Sequence, residues 1–90
     1  MTFTALLEEN IKKLNRPLKS EDVLIEILKK RLTKKEFKVL RLLVEEVSRE
    51  DQLAKLSLDE KRYEEVKTKA LKKVNFNDLK EELMQDKEDW

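Results

Sequence analysis

Along this chain apolar residues recur at helical spacing in short stretches, each closed by a cap or a breaker. Phe3, Leu7, Ile11 and Leu14 lie at i, i+4, i+8 and i+11, which predicts an amphipathic helix over about residues 3–14, ended ahead of Pro17. Ser20 is the N-cap of a second helix, with Glu21 and Asp22 at the pole that favours acids and Lys29, Lys30 and Arg31 at the other. Its broad apolar face is Val23, Leu24, Ile27 and Leu28. Thr33 and Glu36 spell a capping box for a third helix, in which Phe37, Leu40, Val44 and Val47 form a stripe that Leu43 widens. Ser48 opens a short fourth helix over 49–56, with Leu53 and Leu56 facing inward and Ala54 small enough for close approach. Past the turn at 56–59, Ser57 or Asp59 caps a fifth helix whose Tyr63, Val66, Ala70 and Val74 repeat at i, i+3, i+7 and i+11. A sixth, over about 77–86, buries Leu79, Leu83 and Met84.

The expected fold is therefore all-α: one domain over 1–90, a small bundle of five to six short helices. Its parts are an N-terminal helix within 1–16, a core over 20–74 and an acidic C-terminal helix within 77–90. Composition agrees. There is no Gly, no Cys and no His, one Pro, and nearly half the residues are charged. Without Cys and His the usual zinc sites and the common nucleophile arrangements are gone, and without Gly so are the phosphate-cradling loops. Carboxylate pairs such as Glu8 with Glu9 and Glu81 with Glu82 sit on ordinary solvated faces. The expectation is a protein that is not an enzyme and takes no cofactor and no metal.

No apolar run approaches the roughly 20 residues that span a bilayer, and the N-terminus carries no basic region followed by a long apolar stretch, so a cytoplasmic protein without a membrane partner is expected. Net charge is only +1 but unevenly spread. Residues 32–44 hold four bases and one acid, and 75–90 hold two bases and six acids. A polyanion would meet the middle of the chain, not its tail.

A capped amphipathic helix followed by a short helix, a tight turn and a longer helix with a polar outer side is the plan of a helix-turn-helix. On that plan the residues resemble a family: region 4, the promoter-reading C-terminal region of bacterial sigma factors, over roughly residues 20–83. The family pattern "LT-x-x-E-x-x-V-L-x-L" is met by Leu32-Thr33-Lys34-Lys35-Glu36-Phe37-Lys38-Val39-Leu40-Arg41-Leu42. The end of its recognition helix, like "A-K-A-L-x-K-L", is met by Thr68-Lys69-Ala70-Leu71-Lys72-Lys73-Val74. The family's apolar positions fall on Leu58, Tyr63, Val66, Ala70, Leu71 and Val74, and its capping Thr on Asp59. The resemblance implies a transcription-related role, with double-stranded DNA and RNA polymerase as partners.

This chain departs from the family in its outward residues. The base-reading positions fall on Glu60, Lys61 and Glu65, and a usually basic phosphate-facing position on Glu64. Three carboxylates in two turns repel a DNA backbone, although Glu can accept from a cytosine amino group. "SREDQLAKLSL" fits the entry to the motif with about one residue missing, and its turn lacks Gly. Ninety residues also leave no room for the other sigma regions, so a whole sigma factor is not expected.

Under the DNA-binding expectation Lys61 and Arg62 enter the major groove, Lys34, Lys35 and Lys38 hold phosphates from the side, and Lys67 and Lys69 complete the set. The bland alternative for these residues is a solvated helix face with i, i+4 neighbours. A third expectation is a protein-interaction bundle that keeps the scaffold without reading DNA. It would dock through Leu79, Leu83 and Met84, with Trp90 at the frayed end, or form a homodimer through the Phe3, Leu7, Ile11 and Leu14 stripe. If that stripe is core, the interaction site vanishes.

Overall fold

Four of the helix starts in this chain are set by side chains that take up first-turn amides. In the computed structural model, which describes residues 1–85, six helices follow one another: α1 (Phe3–Asn10), α2 (Glu21–Arg31), α3 (Lys34–Val44), α4 (Arg49–Leu56), α5 (Glu60–Asn75) and α6 (Asn77–Leu83). Thr2 accepts from the Ala5 amide, Ser48 from Asp51, and Asp59 from Arg62 at 2.8 Å. The capping box is complete: Thr33 Oγ1 accepts from the Glu36 amide and Glu36 Oε1 accepts from the Thr33 amide. Ser20 holds the N-cap position of α2 but its hydroxyl makes no cap bond. The acids Glu21 and Asp22 face that end of the helix dipole instead.

Three helices stop short of the expected length, each for a visible reason. Asn75, at the end of α5, donates to the carbonyl of Asn10 and accepts from the amide of Lys12, so it takes over the end of α1 that intrahelical bonds would otherwise continue. Lys13 then turns with φ 58°. α3 ends at Val44 because Glu46 adopts φ 58°, with the Val47 amide donating to Leu42 and the Glu46 amide to Leu43. That pair of bonds is a Schellman termination, and Val47 leaves the helix stripe. α6 stops at Leu83, short of the expected residue 86, because Met84 is extended (φ −87°, ψ 153°) and pairs with Leu18; Trp90 lies outside the described residues.

Most of the core is one cluster to which five helices contribute: Phe3, Leu6, Leu7 and Ile11 from α1 and its end, Leu24 and Leu28 from α2, Leu40 from α3, Ala70 and Val74 from α5, and Leu79 and Leu83 from α6. Phe3 also stacks on Phe37 with ring centroids 5.7 Å apart. The N-terminal stripe is therefore core. The surface expected to form a homodimer is closed inside the domain, with Leu14 half-buried against the cluster. The residues expected to dock a partner at the C-terminal end are covered in the same way. Leu79, Leu83 and Met84 are all buried, because the chain after α6 is tied to the loop before α2. Lys19 donates to Leu83 and Gln85 donates to Pro17, an antiparallel bridge about Leu18 and Met84. Ion pairs of Glu81 with Arg16 and Glu82 with Arg31 hold α6 from its outer side.

A second, smaller cluster of Val39, Tyr63 and Val66 sits under α4, covered by Leu43, Leu53, Leu56 and Leu58. Leu53 and Leu56, expected to point inward, are half-buried, and the buried residue of α4 is Gln52 at 3% exposure. On α2 the apolar face is narrower than expected, since Val23 is exposed. No helix among the described residues is long and apolar enough to cross a membrane.

Candidate nucleic-acid interface

The candidate interface centres on the α4 to α5 connection, so its geometry starts with the turn. Ser57, just past α4, takes the left-handed conformation (φ 54°, ψ 42°) that Gly usually supplies. The Leu58 amide donates to Leu53 and the Ser57 amide to Ala54, a second Schellman termination, and Leu58 and Leu53 both pack on the small cluster. The turn is thus regular despite the missing Gly. Gln52 fixes α4 to α5: its amide nitrogen donates to the Val47 carbonyl at 2.7 Å and its oxygen accepts from the Tyr63 hydroxyl. Burial and the neighbouring Glu64 carboxylate push the Tyr63 hydroxyl above its ordinary pKa, with Arg49 partly opposing them, so it stays a donor.

The three carboxylates of α5 are met by arginines of the same chain. Arg49, the first residue of α4, lays its guanidinium over the Tyr63 ring at 5.6 Å. Its Nη2 lies 2.7 Å from Glu64 and its Nε 4.0 Å from Glu60. Arg62 reaches Glu65 at 3.1 Å. Exposed ion pairs add little to stability, but they change the local field that a polyanion meets. Counting Arg49, the outer side of α5 carries Lys61, Arg62, Lys69 and Lys72 against Glu60, Glu64 and Glu65: five bases and three acids.

The expected DNA-binding residues fall into separate places. Lys61 and Lys69 line a shallow groove of about 520 Å³ on the outer side of α5, together with Glu64, Glu65, Thr68 and Lys72. Lys34 and Lys38 share another groove with Lys29 and Arg41 around Phe37, where the Lys29 ammonium lies 5.8 Å from the ring centroid. Lys35 is exposed on the same helix. Lys67 turns the other way, toward Leu6, Glu9, Leu43 and Leu71. Arg62 is engaged by Glu65. Lys73 donates to Glu36 at 2.8 Å and belongs to the packing of α5 on α3.

Two features went unread in the sequence. Arg49 lies eleven and fifteen residues from its acidic partners, and a helical stripe cannot show a contact across a turn. Phe76 is the other, 58% exposed between α5 and α6 in a groove of about 800 Å³ whose charged residues, Lys12, Lys13, Lys72 and Lys80, are all lysines. An apolar residue between two helix stripes, belonging to neither, was its sequence signal. Comparison with protein-family models, with curated proteins and with solved structures finds no match for this chain.

Proposed function

We propose that this chain is a small, non-enzymatic, transcription-related protein that binds double-stranded DNA, with α4 and α5 as its helix-turn-helix and the outer side of α5 against the duplex. The Arg49 clamp carries the reading. The resemblance to sigma region 4 supplies the scaffold, and the acids at its base-facing positions are the main objection to DNA. With Glu60 and Glu64 held by Arg49 and Glu65 held by Arg62, the lysines of that side set its charge. A protein-docking role through Leu79, Leu83 and Met84 has less support, because those side chains are buried.

Duplex binding is tested by fluorescence anisotropy at about 50 mM salt, where phosphate contacts are strong. Arg49→Ala removes a cation and uncovers two carboxylates, and is expected to weaken binding about tenfold, equivalent to about 1.4 kcal/mol. The double variant Glu60→Gln with Glu64→Gln is expected to strengthen it severalfold. Absence of binding to any duplex, or an affinity that neither variant moves, would withdraw the assignment. Capture of RNA polymerase by a protein that binds no duplex would replace it with a docking role.

A further inference from the structure

We infer that the groove at the α5 to α6 junction is a binding site for single-stranded nucleic acid, with Phe76 as its stacking platform. The site goes beyond the duplex reading and does not rest on it. Phe76 is exposed while Val74 and Leu79 on either side are buried at 0% and 3%, so its exposure does not come from a loosely packed end. Its backbone is held on both sides, its amide donating to the Lys73 carbonyl at 3.1 Å and its carbonyl accepting from the Lys80 amide at 2.8 Å. Asn75 beside it ties α5 to the end of α1 and to Lys12. The wall that carries the ring is fixed by these bonds.

Around the ring stand Lys12 and Lys13 from the end of α1, Lys72 from α5 and Lys80 from α6, with Leu71 in the floor. Cations next to an exposed aromatic face suit a ligand that repeats an anion and a flat ring in every unit. Single-stranded nucleic acid is that ligand, since lysines follow its phosphates while an unpaired base stacks on the ring. In a duplex the base faces are already stacked on each other and only their edges are offered. An acidic peptide would satisfy the lysines but leave the ring without a regular partner. Thr68 and Lys72 line both this groove and the one on the outer side of α5, so the two surfaces adjoin.

The probe is a fluorescent 15-nucleotide oligothymidylate, measured by anisotropy at about 50 mM salt beside a duplex and a polyglutamate peptide of the same length. Phe76→Ala is expected to weaken oligothymidylate binding about 5- to 150-fold, the range for loss of one stacked base, and Phe76→Trp to restore it. Lys12→Glu with Lys80→Glu should weaken it and flatten its salt dependence. Neither change at Phe76 should move the melting temperature, as the ring is outside the core, nor shift duplex affinity more than twofold. Undetectable oligothymidylate binding, or equal affinity in wild type and Phe76→Ala, overturns the site. Polyglutamate binding as tightly, with the same dependence on Phe76, overturns it in favour of an acidic peptide. Oligothymidylate binding without duplex binding would uphold this site and remove only the duplex assignment.

Discussion

Glu46 and Ser57 perform a task that most chains give to Gly. Each sits in the left-handed region just past a helix, at φ 58° and 54°, and each permits the two bonds that close α3 and α4. A residue with a Cβ is less favourable there by about 1 kcal/mol. Ser57→Gly and Glu46→Gly should therefore each raise the unfolding free energy by about 0.5–1 kcal/mol, less the greater entropy that Gly gives the unfolded chain. Urea denaturation checks this, and a fall in stability for both would mean that these turns are not held as described. Ser57 also shows where residue-level reading stops. Its type suits a cap for α5, which it was one of two candidates to supply, but Asp59 makes that cap and Ser57 makes the turn.

Between elements, two carboxylates join helices that are distant in the chain. Glu21, at the start of α2, accepts from the Phe3 and Thr4 amides and the Thr4 hydroxyl, and so covers the first turn of α1. Glu36 closes the capping box of α3 and accepts from Lys73 of α5. Burial alone would raise both pKa values, but the hydrogen bonds outweigh it and hold each below the ordinary glutamate value. A lowered native pKa means that the unfolded chain binds more protons in this range, so stability falls as pH falls. Their contribution is complete above about pH 5 and is lost as the pH drops below the ordinary glutamate range near 4.3. Glu36→Gln should cost about 1–2 kcal/mol at pH 7, with its deficit shrinking toward pH 3. Thermal melts of both proteins across that range measure it, and a deficit independent of pH would show that the charge on Glu36 is not what matters. The capping box was legible because its residues lie three apart. The bond to Lys73 was not, as it depends on how α5 lies along α3.

For the whole molecule, the consequence of a ninety-residue chain is a small core in which every large side chain counts. Leu83 is fully buried in that core, and Leu83→Ala should lower the unfolding free energy by about 2–5 kcal/mol. That is a large share of the roughly 5–13 kcal/mol expected for a chain of this length. A shift of the urea midpoint at unchanged slope reports it, whereas a Leu83 used only for docking would leave the midpoint in place. Periodicity and capping chemistry were enough by themselves for six helices, most of their starts, and the inward residues Tyr63, Val66, Ala70 and Val74, because these depend on spacing within one turn or two. Tertiary structure alone decided that the stripe of α1 and the apolar residues of α6 close one core, since an exposed docking stripe and a buried one have the same spacing. It also decided which cations meet the acids of α5 and which residues surround Phe76. Arg49 and Lys12 lie on another helix or a connection, and only packing sets those distances.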